Sequence, residues 1–405
     1  MTTVPVLDAL PTERDAGPFD PPRDITRLRE ARPVSPMTFP DGHRGWVVTG
    51  YDAVRRLMAD TRFSSRLDIG VVHMPYETPG MPTPTEPSPQ PPGMFIAMDP
   101  PDHTRLRRML IGAFTVKRMR QLECHIVEIV GRALDEMSRL TPPVDLVKEF
   151  ALPVPSLVIC ELLGVPYSDR AEFQERSSRL LDMSLSPEER MAVARENRDY
   201  MSSLVGRAEA EPGEDILGML VREHGADLTH DELTGIAGLL LIAGHETTSN
   251  MLGLGTLALL RDPEQLALVR DDPAMARPAV EELMRYLSIV HTGVPRTTTA
   301  DVELRGTMIP KGSLVMCSLP AANRDPEVTT DPDRLDVRRG AAGHVAFGHG
   351  VHHCLGAPLA RMEMETAFPA LLRRFPNLAV APGHDDAEFR AYHFIYGLHS
   401  LPVTW

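Results

Sequence analysis

The chain has 405 residues, with 42 Lys and Arg against 56 Asp and Glu, a formal net charge of -14. That balance argues against a nucleic-acid partner, which calls for a basic surface. The four cysteines, Cys124, Cys160, Cys317 and Cys354, show no paired spacing, so no disulfide framework is expected. The 42% hydrophobic fraction is that of a globular protein, and Met1 to Gly17 lacks a charged-then-apolar leader, so the expectation is a cytoplasmic protein without a membrane anchor.

In chain order, Ile25 to Ala31 reads as a first helix, Met37 to Phe39 and Trp46 to Val48 as a hairpin about Pro40-Asp41-Gly42, and Tyr51 to Ala59 as a second helix. The segment Pro75 to Pro101 holds ten prolines among Met81, Met94, Phe95, Ile96 and Met98. It reads equally as a linker or as an adaptable apolar wall, methionine being the flexible gap-filler of binding surfaces. Helical periodicity dominates from His103 to Tyr286, broken near Thr141-Pro142-Pro143, Gly164-Val165-Pro166, Pro212-Gly213 and Gly225. At its start His103 and Arg107 lie four apart, on one helical face. Arg105, Arg107, Arg108, Lys117, Arg118 and Arg120 make a basic cluster.

Within that helical region Thr229 and Glu232 have capping-box spacing before a long apolar stretch, Leu233 to Leu260. A helix over Thr229 to Leu260 would be about 48 Å long. Its apolar runs are too short for a membrane span, which needs about 20 residues. They are interrupted by Ala243-Gly244-His245-Glu246-Thr247-Thr248-Ser249-Asn250. An acid and hydroxyls inside a buried helix cost free energy unless paired or used. Threonine back-bonding to the preceding turn is one outlet. Further on, Glu282 and Arg285 stand three apart on a helix and can face one another. Strands are expected at Val302 to Leu304 and Ser313 to Cys317, and a terminal hairpin over Phe394 to Val403.

The most specific run is Phe347-Gly348-His349-Gly350-Val351-His352-His353-Cys354-Leu355-Gly356, a glycine-rich loop carrying one thiol to a helix start. From Leu355 apolar Leu359, Met362, Ala367, Ala370 and Leu371 share one side, with Arg361, Glu363, Glu365, Arg373 and Arg374 mostly on the other. Unpaired N–H groups and the helix dipole lower a thiol's pKa at such a position, which suits a permanent thiolate ligand. Glycines permit close backbone approach to a flat partner. Pro376 should end the helix, and Pro369 inside it should kink it.

This loop resembles the haem-thiolate loop of the cytochrome P450 superfamily: Phe, two residues, Gly, three residues, Cys, one residue, Gly. The resemblance extends to three other places. Ala243-Gly244 followed by Glu246-Thr247 is similar to the family's distal-helix motif, where a widened turn makes room for dioxygen; it implies that Thr247 hydrogen-bonds the oxygen and Glu246 relays protons. Glu282 and Arg285 match its buried Glu-x-x-Arg pair, a structural role. His103, Arg107, Arg296 and His352 match positions that contact the haem propionates, carboxylates that need charge-assisted donors. Phe347, Gly348, Ala243 and Gly244 would border the cofactor, and Cys354 would bind its iron.

The resemblance implies a mainly α fold with small β-sheets, a single unit over residues 1–405 with haem b between the long distal helix and the cysteine loop and helix. It implies a monooxygenase that inserts one atom of O2 into a C–H bond of a lipophilic small molecule (polyketide, macrolide, terpenoid, steroid-like or foreign), with electrons from NAD(P)H through a ferredoxin. The thiolate donates electron density and favours O–O cleavage. An acidic ferredoxin would dock at the basic cluster and at Arg361, Arg373 and Arg374, which in the family border the thiolate side. Ile289, Val290, Thr292 and Val294 would form a second wall of the substrate site beside Met94 to Met98. The alternatives are a structural zinc cluster of His344, His349, His352, His353 and Cys354, and a haem sensor or carrier without turnover.

Overall fold

The protein is described from a computed structural model covering residues 6–71, 73–76, 85–180, 185–384, 386–391 and 393–405. Met81 therefore lies outside the described residues. The helices are α1 (Arg23–Ala31), α2 (Tyr51–Ala59), α3 (Asp102–Ile111), α4 (Val116–Met137), α5 (Pro153–Leu162), α6 (Arg170–Leu180), α7 (Pro187–Ala210), α8 (Ile216–His224), α9 (His230–Leu260), α10 (Pro263–Asp271), α11 (Ala276–Leu287), α12 (Leu319–Asn323) and α13 (Ala357–Arg374). The strands are β1 (Val34–Thr38), β2 (Arg44–Val48), β3 (Phe63–Ser64), β4 (Val144–Asp145), β5 (Val294–Thr298), β6 (Val302–Leu304), β7 (Thr307–Ile309), β8 (Leu314–Cys317), β9 (Ala379–Val380) and β10 (Pro402–Thr404). The fold is mostly helical with small sheets, as expected. The chain forms two compact units, one from residues 1–90, 254–354 and 388–399, the other from 91–253, 355–387 and 400–405.

The first unit is built on a five-stranded sheet in the order β1-β2-β8-β5-β3. Side chains alternate across a strand. On β2 and β8, Val47, Leu314 and Met316 face the cluster formed with α1 residues Ile25 and Leu28, while Val48, Val315 and Cys317 face α2 residues Ala53, Val54 and Leu57. Both faces are covered, which is why β8 is buried along its whole length and reads as an unbroken apolar run. The hairpin turns where Gly42 takes a φ of 84° and the Phe39 N–H donates to the His43 carbonyl at 2.8 Å.

Behind this sheet's connections lies the pair on α11. Glu282 and Arg285 are both fully buried, with Arg285 Nε and an Nη donating to the two carboxylate oxygens at 2.8 Å each. Arg339 (2.8 Å) and the Asp336 N–H (3.0 Å) also donate to Glu282 Oε1. The other Nη of Arg285 donates to the carbonyls of Asn323 and Pro332 at 2.9 and 2.6 Å. One ion pair thus ties α11 to the chain from α12 to Arg339.

In the second unit α4 packs on α5 and on α13, and β10 pairs with β4 and β9. The expected terminal hairpin over Phe394 to Val403 does not form: Ile395 bridges Val290, Leu398 bridges Phe389, and Val403 joins the three-stranded sheet. The local antiparallel pairing is instead between residues 388–390 and 397–399, where the Arg390 N–H donates to the Gly397 carbonyl and the His399 N–H to the Glu388 carbonyl, while Ile395 and Val403 pair farther along the chain. The α13 stripe also differs from expectation. Glu363 is buried together with Met364, Phe368 and Pro369, whereas Met362 and Ala370 are only half-buried. Pro369 lies within the continuous span of α13. Nothing in the structure explains why a proline is used there.

Candidate active site

Cys354 lies two residues after the short helical turn Gly350–His352 and precedes α13 by three residues, so it stands just before a helix N-terminus as expected. Its N–H donates to the Phe347 carbonyl at 2.9 Å, closing the loop on itself. Phe347 is buried, with the rings of His344 and His353 at 5.9 and 6.3 Å. Gly348 and Gly350 have φ values of 73° and 71°. A Cβ at Gly350 would meet the Met58 carbonyl oxygen at 2.3 Å, so packing on α2 by itself requires a glycine here.

The cysteines divide into two kinds. Cys160 and Cys317 are buried, and burial pushes each thiol up to about 12, opposed by Arg170 at the first and by Arg296 at the second. Such groups stay protonated. Cys354 is exposed, as is Cys124 on α4, and only Cys354 sits in a glycine loop at a helix start.

Two expected propionate contacts lie in the same unit as Cys354. Arg296 is 9% exposed on β5, opposite Val315 of β8, and donates to the Pro295 carbonyl at 2.7 Å. His352 Nε2 lies 3.1 Å from Ser65 Oγ. Ser65 was missed from sequence because a lone serine after a short strand carries no signal.

The other unit carries the remaining candidates. His103 and Arg107 share one face of α3, as their spacing predicts. His103 is buried, and burial, then Arg107, hold its imidazole below its usual value, with Asp99 opposing. On α9 the Thr229–Glu232 capping box is present in both directions, at 2.9 and 3.1 Å. The helix assignment is continuous through residues 243–250, and Thr247 Oγ1 donates to the Ala243 carbonyl at 2.7 Å, the back-bonding to the preceding turn that its sequence position allows. Glu246 is buried, and Asn250 Nδ2 donates both to its Oε1 and to its carbonyl at 2.9 Å. Asn250 was not singled out from sequence, although an acid and an amide at i, i+4 are a readable signal. Ala243 is exposed and Gly244 half-buried, a Cβ at Gly244 falling 3.1 Å from Ile159 Cδ1.

The end of the proline-rich segment is no plain linker. A Cβ on Gly93 would meet the Glu232 carbonyl oxygen at 2.1 Å, and one on Gly235 the Pro92 carbonyl oxygen at 1.9 Å, so the chain lies backbone to backbone on α9. Phe95 and Ala97 are buried beyond it, Met94 and Met98 half-buried. The basic cluster is partly spent: Arg105 pairs with Glu232, Arg118 donates to the Glu214 carbonyl, and Arg374 pairs with Asp135 at 3.1 Å. Arg108 is exposed and lines an open depression of about 930 Å³ with Thr104, Met109 and His224. The side chains of Lys117 and Arg120 lie outside what the structure describes.

His344 is engaged away from any zinc cluster: its Nδ1 accepts from the Ala346 N–H and its Nε2 meets Glu281, both at 3.1 Å. Among the described residues no group of three His, Cys, Asp or Glu is placed to hold a metal ion.

The family model for Cytochrome P450 matches residues 188–389. Cytochrome P450 FAS1 of Rhodococcoides fascians is 45% identical over 396 residues, 98% of this chain and 98% of that protein. This chain belongs to the cytochrome P450 family. The vitamin D3 dihydroxylase of Streptomyces griseolus is 42% identical, covering 98% of this chain and 97% of its own length. The crystal structure of CYP105P1 in complex with filipin I superposes with a TM-score of 0.90 at 40% identity, over 98% of this chain and 99% of that one. As a P450 the protein is a monooxygenase whose cofactor is protoporphyrin IX haem iron. The residues fit that group: an accessible thiol before a helix, and an arginine and a histidine in the same unit for its carboxylates. Among the described residues no helix is long and apolar enough to cross a membrane.

Proposed function

We propose that Cys354 holds the haem iron in this P450, that Arg296, His352, His103 and Arg107 meet its propionates, and that the two compact units work as one catalytic domain. Neither unit is continuous in sequence, which favours one domain over two. The observation that carries the thiolate assignment is the contrast among cysteines: burial keeps Cys160 and Cys317 protonated, whereas Cys354 is accessible at a helix start. Phe347 and Gly348 shape its loop, while Ala243 and Gly244 give the α9 side a low profile.

When bound, the haem supplies oxygen activation and C–H hydroxylation, R–H + O2 + 2 e⁻ + 2 H⁺ giving R–OH + H2O. The chain's own part is to move the two protons and exclude other routes for them. Glu246, buried on α9, takes a proton from solvent, and Asn250 holds its Oε1 in place. Thr247 Oγ1, one residue on, relays the proton to oxygen when it turns from the Ala243 carbonyl. The substrate is a lipophilic small molecule of the natural-product, steroid-like or foreign class, with Ile289, Val290, Thr292 and Val294 as one wall and Met94 to Met98 as another. The related proteins named for vitamin D3 and crystallised with filipin I support that class. Electrons come from NAD(P)H through an acidic ferredoxin that meets exposed Arg108 and its neighbours, in the cytoplasm.

Thr247→Ala tests the proton path. It should keep haem and substrate binding but uncouple NAD(P)H consumption from product, with roughly 10- to 100-fold less product per reducing equivalent. Tight coupling in that variant would remove Thr247 from the role.

A further inference from the structure

Away from the residues assigned to the haem, one constellation within the second unit has the geometry of nucleophilic catalysis. On α7, Arg198, Ser202 and Glu209 lie within about 40° of one another on a helix of ~3.6 residues per turn, so they share one face. That face meets the start of α9. Ser202 Oγ lies 2.8 Å from His230 Nε2, His230 Nδ1 lies 3.0 Å from Glu209 Oε2, and an Nη of Arg198 donates to Asp231 at 3.2 Å. Ser202 is half-buried, whereas His230 and Glu209 are 42% and 40% exposed.

The partners fix where the protons sit. An ionised carboxylate only accepts, so Nδ1 of the neutral ring carries the proton and Nε2 is left to accept from the Ser202 hydroxyl. A hydroxyl within a helix can spend its proton on the preceding turn, as Thr247 does on Ala243. Ser202 directs its own to His230 instead. A hydroxyl bonded to an imidazole that a carboxylate orients is the arrangement that activates serine as a nucleophile.

Such a nucleophile also needs donors for the oxyanion formed on attack. The first turn of α9 supplies them. Its Glu232 N–H goes to Thr229 Oγ1 at 3.1 Å and its Leu233 N–H to the Thr229 carbonyl at 3.0 Å. The His230 and Asp231 N–H groups have no partner among the described residues, and they stand at the positive end of a 31-residue helix, on the base itself and on the residue after it. Arg198 keeps the Asp231 carboxylate paired, which limits its repulsion of a developing negative charge. His230 and Thr247 are both on α9, about 25 Å apart at ~1.5 Å per residue, so this site is distinct from the proposed proton path.

We propose that Ser202, His230 and Glu209 form an esterase site, with Ser202 as nucleophile, His230 as general base and acid, and Glu209 as the positioning residue that orients the imidazole. Ser202 Oγ bonds to the ester carbonyl carbon as its proton passes to His230 Nε2. The bond from that carbon to the alcohol oxygen then breaks, and the alcohol leaves with the proton. Water, deprotonated by the same nitrogen, attacks the acyl-serine, releases the carboxylic acid and restores the hydroxyl. The exposure of His230 and Glu209 leaves the site shallow, so the substrate class is the ester of a short carboxylic acid. Glu209 and Asp231 disfavour an anionic one.

The test uses the haem-loaded protein with p-nitrophenyl acetate as substrate and an alkyl fluorophosphonate, which phosphonylates activated serines. Wild-type protein should hydrolyse the ester, and peptide mapping should place the phosphonate on Ser202. Ser202→Ala and His230→Ala should each lose about 100-fold in hydrolysis together with the labelling at Ser202. Glu209→Ala should lose about 10-fold in kcat with KM unchanged, the worth of one hydrogen bond to a charged group. Glu209→Gln, whose amide oxygen still accepts from Nδ1, should recover part of that loss. The carbon monoxide spectrum of each variant reports whether it is folded and haem-loaded, which separates a lost nucleophile from a lost fold. Wild-type protein that is not labelled, a label that maps to another serine, or hydrolysis that persists in Ser202→Ala would overturn the proposal and leave the haem reading standing.

Discussion

Two buried glutamates in this chain are used in opposite ways. Glu282 is fully enclosed and receives four charge-assisted or backbone donors, from Arg285 twice, from Arg339 and from the Asp336 N–H. Glu246 is nearly as buried, and its Oε1 accepts from the neutral amide of Asn250 one turn along α9. A carboxylate bound to two guanidinium groups serves as a fastening, whereas the proposed function gives the proton relay to Glu246.

The largest effect should come from breaking the fastening. Glu282→Ala leaves the Arg285 charge buried at 0% exposure without its carboxylate and should cost about 3–5 kcal/mol, seen as loss of soluble folded protein or of haem retention. Glu246→Gln keeps size and hydrogen bonding, so the protein should fold with normal haem content while product formation falls about 100-fold. Asn250→Ala should show the same defect more weakly. If Glu246→Gln unfolded the protein and Glu282→Ala did not, the contrast between the two acids would be reversed.

A smaller effect concerns pH. His291 is held well below its ordinary value in the folded state, down to about 3 from 6.5, and His103 is shifted the same way. The unfolded chain therefore binds protons that the folded chain refuses. Stability is full above the unfolded value and falls as pH drops from about 6.5 towards 3, by up to about 1.4 kcal/mol per pH unit for each such proton. Denaturant midpoints measured across that range should slope less steeply in His291→Gln than in the wild type.

Much of this was legible in the sequence where the signal is local. The bounds of α2, the capping box of α9 and the turn of the β1-β2 hairpin follow from periodicity and turn chemistry within a few residues. The cysteine loop was legible because its spacing is fixed by a resemblance. What sequence could not give depends on contacts remote along the chain. Gly350 is a glycine because of the Met58 carbonyl nearly three hundred residues earlier. The segment 393–403 alternates like a hairpin, but its partners are Val290, Phe389, β4 and β9. Glu363 reads as a surface residue and is buried on α13, where desolvation raises its pKa well above the ordinary value.

The central claim is the assignment of Cys354, and the most direct measurement is the visible spectrum of the reduced protein under carbon monoxide, for the wild type and for Cys354→Ser. The account predicts the strongly red-shifted Soret band of a thiolate-ligated haem in the wild type and its loss in the variant. Haem-loaded wild-type protein without that shift, or a variant that retains it, would contradict the account.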